Sequence, residues 1–223
     1  MSYKTAPISL RGVSLSVTTR YWTGWFRTRL DVSRIHRTNM PTIAVTRTYL
    51  EMRSPNALRS YHADDANVRF EHVRSCPISF IRYLYREVGR AHHWVDRLAW
   101  SDEQVTARLA NPSVTLWVMY VDGAPAGYAE LERHVDGSIE IAYFGLLPEF
   151  TRRGLGKLML TAAVERAWEQ GTSRVWLHTC TLDDPAALPN YIKRGFAPYK
   201  DEVYSVEIDE DELPTLRSAT PAA

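Results

Sequence analysis

Residues 146–157, Leu-Leu-Pro-Glu-Phe-Thr-Arg-Arg-Gly-Leu-Gly-Lys, join an alternating apolar run to a long helical pattern. A strand that turns through Pro148, Gly154 and Gly156 directly into a helix restricts the chain to folds with a loop at a helix N-terminus. The first N–H groups of such a helix have no intrahelical acceptor, and its dipole adds partial positive charge there. Arg152, Arg153 and Lys157 surround those groups. A loop of this kind binds an anion, most simply a phosphate or pyrophosphate.

Two familiar phosphate loops do not fit. A P-loop requires Ser or Thr after its Gly-Lys pair and a Gly five residues before the second glycine, where this chain has Leu158 and Thr151. A dinucleotide fingerprint requires a third glycine three residues after Gly156, and that residue is Met159. A third pattern does fit. Leu146-x-Pro148 followed by Arg152, Arg153, Gly154, Leu155 and Gly156 resembles the acyl-coenzyme A loop of the GNAT acetyltransferases, (Gln/Arg)-x-x-Gly-x-(Gly/Ala), with Thr151 where the family usually has Gln or Arg. Downstream, Tyr191-Ile192-Lys193-Arg194-Gly195-Phe196 resembles the family's Tyr-x-x-x-Gly-Phe, and Asp184 stands seven residues before the tyrosine in place of the usual Asn. The resemblance covers residues 67–208.

The chain has 223 residues, enough for one domain with extensions. Only Cys76 and Cys180 occur, so no disulfide framework organises the fold, which suits a reducing, cytoplasmic setting. Neither cysteine has a metal-ligand spacing and the histidines are scattered apart from His92-His93, so no metal site is expected. No apolar run is long enough to span a membrane. Residues 1–39 carry seven Lys/Arg against Asp31 alone, net +6, and the remainder is net −5. The first segment reads as a basic extension outside the fold, disordered or not native, with organellar targeting as the lesser alternative. Trp22, Trp25, Phe26 and Leu30 would line one face of a short helix there. The acidic balance of the body argues against a nucleic-acid partner and is compatible with a cationic amine.

Periodicity predicts a strand over 42–52, a polar linker to 66 and a strand over 68–73. A helix follows from Pro77 to Val88, and Ser101-Asp102-Glu103-Gln104 is a capping box opening a second. Strands over 115–121, 125–133 and 139–146 turn at Asp122-Gly123 and Asp136-Gly137. Then come a helix over 154–170, a strand over 174–179, a short helix over 185–194 and a strand over 199–208, before an acidic tail over 209–223. This order is α/β and matches the GNAT plan that the resemblance implies. That plan is a mixed central sheet flanked by helices, with strands splayed at the acetyl-CoA site. It places the domain at 67–208, with 40–66 as an extra strand and linker.

The resemblance implies acetyl-CoA as acyl donor, no metal, and a ternary complex in which an amine attacks the thioester directly. The N–H groups of Arg152, Arg153, Gly154, Leu155, Gly156 and Lys157 would face the pyrophosphate, and Asp184 would lie on the same side. Gly145, Leu146 and Leu147, at the end of a strand splayed from 174–179, would offer a free N–H to the thioester oxygen. Tyr191 would protonate the leaving sulfur. For the base, period-two alternation puts Glu140 on a face with Ala142, Phe144 and Leu146, and apolar neighbours bring a carboxylate nearer to base function at neutral pH. It lies fourteen residues before Gly154, similar to the general-base glutamate of the histone-acetylating branch. The other reading of Glu140 is a strand glutamate paired with an arginine, and His178 is the runner-up base. Tyr85, Trp94 and Tyr143 are candidates to line the acceptor pocket. The expected activity is N-acetylation of a primary amine on a small molecule or peptide, by a monomer or homodimer. A non-catalytic acyl-coenzyme A sensor is the alternative.

Overall fold

The computed structural model describes residues 41–63, 66–90 and 92–208. The chain divides into two units, Met1–Arg37 and Thr38–Ala223. The basic extension with its helix face, and the acidic tail, lie outside the described residues.

Seven strands form one sheet: β1 (Thr42–Met52), β2 (Val68–His72), β3 (Val114–Val121), β4 (Ala124–Arg133), β5 (Ile139–Leu146), β6 (Val175–Cys180) and β7 (Ala197–Glu207), in the order β2-β3-β4-β5-β6-β1-β7. All neighbours are antiparallel except β5 and β6. Helices α1 (Ile78–Gly89) and α2 (Asp102–Leu109) pack on one face of the β3–β5 half, α3 (Leu155–Glu169) covers the other face, and α4 (Ala187–Lys193) follows β6. This is a mixed central sheet flanked by helices.

Each element has a local cause. Pro77 precedes the first turn of α1, where a missing N–H costs nothing, and Ile81, Leu84, Tyr85 and Val88 bury one stripe of it. The Ser101–Gln104 capping box closes in both directions and starts α2. Pro189 is tolerated in α4 because it is the third residue, in the first turn. The main core lies between the sheet and α3, where Leu131, Ile139, Leu160, Val164 and Leu177 are almost wholly buried.

The strand β1 does not flank the sheet; it lies inside it, between β6 and β7. Alternation explains why it fits. Leu50 and Met52 turn into the main core, while Arg47, Tyr49 and Glu51 lie opposite Cys180, His178 and Trp176 on the other face. The linker after β1 then returns across α3 and α4: Arg59 N–H donates to Arg194 O, Tyr61 N–H donates to Thr161 Oγ1, and Ala57 O packs on Gly195. Gly195 has φ 104°, and a Cβ there would lie 1.9 Å from Ala57 O, so only glycine serves.

Candidate active site

The parallel pairing of β5 with β6 holds for two residue pairs, Ile139–Val175 and Glu140–Trp176, and then stops. Beyond Glu140 the strands diverge, and the β5 edge facing β6 has no strand partner among the described residues. A buried strand edge without a ladder partner must find its hydrogen bonds elsewhere. The divergence opens a cleft of about 990 Å³ that runs from the loop before α3 to the segment between α1 and α2.

At one end stands the glycine loop. Arg152 has φ 58° and Gly154 has φ 79°, two left-handed residues flanking Arg153. Successive N–H groups in such a turn converge into an anion-binding nest. Among the described residues, none of the N–H groups of Arg152, Arg153 and Gly154 donates to a backbone carbonyl outside helices and strands. A left-handed arginine is strained, and strain of this kind concentrates at functional loops. Thr151 takes no such role: its N–H and its hydroxyl both donate to Pro148 O, fixing the turn. Lys157 Nζ lies 3.7 Å from the centre of the Tyr61 ring, and Arg153 stacks over Phe150 at 5.2 Å.

The other expected donor-side residues divide. Gly145, Leu146, Arg152, Gly154, Gly156, Lys157 and Asp184 line the cleft. Leu147 does not: its side chain is buried against α1 and its N–H is already donated to Ala126 O at 2.9 Å. Leu155 packs with Met159 in a separate apolar cluster, so its side chain is structural as well. Asp184 accepts the N–H of Ala186 at 2.8 Å and closes the entry to α4. Asp183 is the fastener of the loop after β6, accepting from Thr179 Oγ1 and Cys180 N–H.

At the point of divergence lies Glu140, 9% exposed and on the cleft wall. The expected face for it needs correction. The β4–β5 register pairs Glu130 with Tyr143 but Leu131 with Ile141, leaving Ala142 as a bulge. The extra residue shifts the alternation, so Glu140 shares its face with Tyr143, and Phe144 points across the sheet toward Tyr191 at 6.1 Å. The carboxylate is held by two imidazoles rather than by apolar neighbours or an arginine. His134 Nε2 lies 2.9 Å from one oxygen and His178 Nδ1 3.5 Å from the other. Both base candidates thus meet in one carboxylate–imidazole pair. His134 was not legible as a site residue, although the tight Asp136-Gly137 hairpin that pairs Glu132 with Glu140 places it beside them.

Glu132, His134 and Glu140 each bring one potential metal-ligating atom within 4.8 Å of the others. Spacing along the sequence cannot reveal this cluster, because the hairpin forms it. Arg108 already pairs with Glu132.

Tyr191 is buried on the cleft wall, and burial pushes its hydroxyl well above the ordinary phenol pKa. The phenol therefore keeps its proton over the whole physiological range. Tyr85, Trp94 and Tyr143 form an aromatic corner with ring separations of 5.1–5.9 Å. Trp94 and Tyr143 reach the cleft; Tyr85 stands behind them, its hydroxyl accepting Arg97 N–H at 3.1 Å. The Arg97 guanidinium lies 4.1 Å over Tyr143 and makes two bonds to Glu130, which is 1% exposed.

Comparison with known proteins agrees with this geometry. The chain is 28% identical over 126 residues, 53% of its length and 72% of the relative's, to a protein of Lactobacillus delbrueckii subsp. lactis described as an uncharacterized N-acetyltransferase in the pepI 3' region. Its fold is similar to that of a GCN5-related N-acetyltransferase from Kribbella flavida, with TM-score 0.53 and 22% identity over 74% of this chain and 58% of that one. It is also similar to a functionally unknown conserved protein from Staphylococcus epidermidis, with TM-score 0.52 and 20% identity over 74% of this chain and 61% of the other. The chain thus spans about three fifths of these two solved chains. Residues 80–196 match the Acetyltransferase (GNAT) family, and with more than half of its length matched the chain belongs to that family.

Proposed function

We propose that the protein transfers an acetyl group from acetyl-CoA directly to a primary amine of a small molecule. One observation carries this reading: an unpaired β5 edge leads from a nest of unengaged N–H groups to a cleft-lining carboxylate, all in one continuous groove. The nest, with Arg152 and Lys157, fits a diphosphate, and the β5 edge fits an amide-bearing arm lying along it as an added strand. Acetyl-CoA supplies the activated thioester when bound there.

The chain's own groups supply the rest. Glu140 accepts a proton from the incoming ammonium, and its hydrogen bond to His134 Nε2 gives that proton a path toward solvent, since the His134 side chain is 36% exposed. Free N–H groups on β5 stabilise charge growing on the carbonyl oxygen. Tyr191 donates a hydrogen bond to the departing sulfur. Burial disfavours the phenolate, so the hydroxyl stays protonated as a donor.

Thiol release from acetyl-CoA across a panel of primary amines, with mass spectrometry of the products, tests the activity. In that assay Tyr191→Phe should lower kcat by about 10- to 100-fold while leaving the acetyl-CoA dissociation constant within twofold. Unchanged kcat would remove Tyr191 from the chemistry. Binding of acetyl-CoA with no turnover on any amine would favour the sensor alternative.

A further inference from the structure

Arg47 stands on β1, the strand inserted between β6 and β7, and lines the cleft. It is opposite Cys180 on β6, two register positions from Tyr49 opposite His178. Diagonal neighbours on adjacent strands lie about 7–8 Å apart at their Cα atoms, so Arg47 and the Glu140–His178 pair share one floor. Its guanidinium lies 4.8 Å over the Tyr204 ring and interacts with the Tyr49 and Tyr204 hydroxyls, while Nε is buried with no hydrogen-bond partner among the described residues. The cross-strand carboxylate opposite it, Glu202, feels the Arg47 charge, but its own close bonds are to Tyr49 Oη, which donates to it at 2.7 Å, and to Lys200.

Two further arginines of the cleft lining are paired with carboxylates. Arg97 and Arg108 bind Glu130, and Arg108 also binds Glu132. Arg47 is flanked instead by Val45, Cys180, Leu182 and Val206, an apolar patch that strengthens any charge pairing made there. A buried guanidinium nitrogen left without an acceptor calls for one from outside the chain. Of the aspartates lining the cleft, Asp96 and Asp184 are exposed and well solvated, and Asp183 is held by the Thr179 hydroxyl and the Cys180 N–H, which weakens the repulsion each exerts on an anion.

We propose that Arg47 is an anion subsite for the acceptor, so that the preferred acceptor is a primary amine carrying a carboxylate or phosphate, with its amino group at Glu140 and its anionic group on the Arg47 guanidinium. This rests on the cleft being the acceptor site of amine acetylation. It replaces the cationic amine suggested by the body's net charge. Net charge governs long-range attraction, whereas the local guanidinium selects what is bound.

The test compares kcat/KM for paired acceptors long enough to span the two groups: ω-amino acids of increasing chain length against their amides, and ω-aminoalkyl phosphates against the parent amino alcohols, because Arg47 lies four residues, roughly 13 Å, along β1 from the level of Glu140. The wild-type protein should prefer an anionic member by at least about tenfold, and the better of the two anionic classes identifies the group. Arg47→Met, which keeps the stem over Tyr204 without the charge, should lower kcat/KM for that class by about 10- to 100-fold, mainly through KM. It should leave the neutral partners within twofold, and Arg47→Lys should recover part of the preference. Equal use of acids and amides by the wild type, or a preference that survives Arg47→Met, would overturn the proposal. Calorimetric titration of the same acids in the presence of coenzyme A separates the two layers. Should no amine be acetylated, heat in the wild type that is lost in Arg47→Met upholds the anion site while the transferase reading falls; no heat in either refutes the subsite.

Discussion

Replacing Glu140 by glutamine is expected to lower kcat by about 100- to 1,000-fold, the range for loss of a positioned general base. Glutamine has the same shape and keeps an acceptor oxygen for His134, so the strand pairing at Glu140 and the packing around it stay intact. What is lost is the carboxylate that lines the cleft where β5 and β6 part and has an imidazole on either side. The acetyl-CoA dissociation constant should stay within twofold, because the nest lies at the other end of the groove. A stopped-assay rate at saturating amine checks this. If the variant keeps a third or more of wild-type kcat, His178 or a water must be the base instead.

The second large effect falls on stability. Glu130 accepts two bonds from Arg97 at 2.8 and 2.9 Å and further bonds from Arg108, all beneath the aromatic corner. Burial opposes its charge, yet the hydrogen bonds and charges of Arg97 and Arg108 more than offset this and hold its carboxyl below the usual range. Glu130→Ala leaves the buried Arg97 guanidinium without its anion and Arg108 with Glu132 alone, which costs about 3–5 kcal/mol. Against a total of roughly 5–15 kcal/mol for a domain, that is a third or more of the stability. Because Arg97 also carries the rings of Tyr143 and Trp100, the wall of the acceptor cleft should loosen, and the amine KM should rise in whatever fraction remains folded. Urea denaturation measures the loss, and a change below about 1 kcal/mol would show that the network is not a stability element. The sign with pH follows from the depressed pKa. The contribution is fully present above the carboxyl's unfolded value and is lost as pH falls through its lower folded value.

The parts of this molecule that could be read from the sequence are those governed by neighbours in the chain. The loop at 151–157, the Ser101 cap and the Asp136-Gly137 hairpin each follow from turn and cap chemistry over a few residues. The place of β1 was not readable, because a strand's neighbours depend on contacts more than a hundred residues away, as in the pairing of Arg47 with Cys180. Arg47 was invisible as a site residue for the same reason. The bulge at Ala142 has no glycine or proline to mark it, so period-two counting through it put Glu140 beside Phe144 instead of Tyr143. The engagement of the Leu147 N–H by Ala126 O is decided by the β4–β5 register and leaves no local mark in the sequence.

The central claim is that the left-handed turn at Arg152–Gly154 and the parted strands beyond it hold acetyl-CoA. Isothermal titration of the purified full chain with acetyl-CoA tests it most directly, alongside Gly154→Val, which forces a β-branched residue into φ 79°. A saturable one-to-one heat in the wild type, with affinity lowered at least about tenfold in the folded variant, is the predicted result. No heat in the wild type, or equal affinity in a variant whose circular dichroism is unchanged, would contradict it.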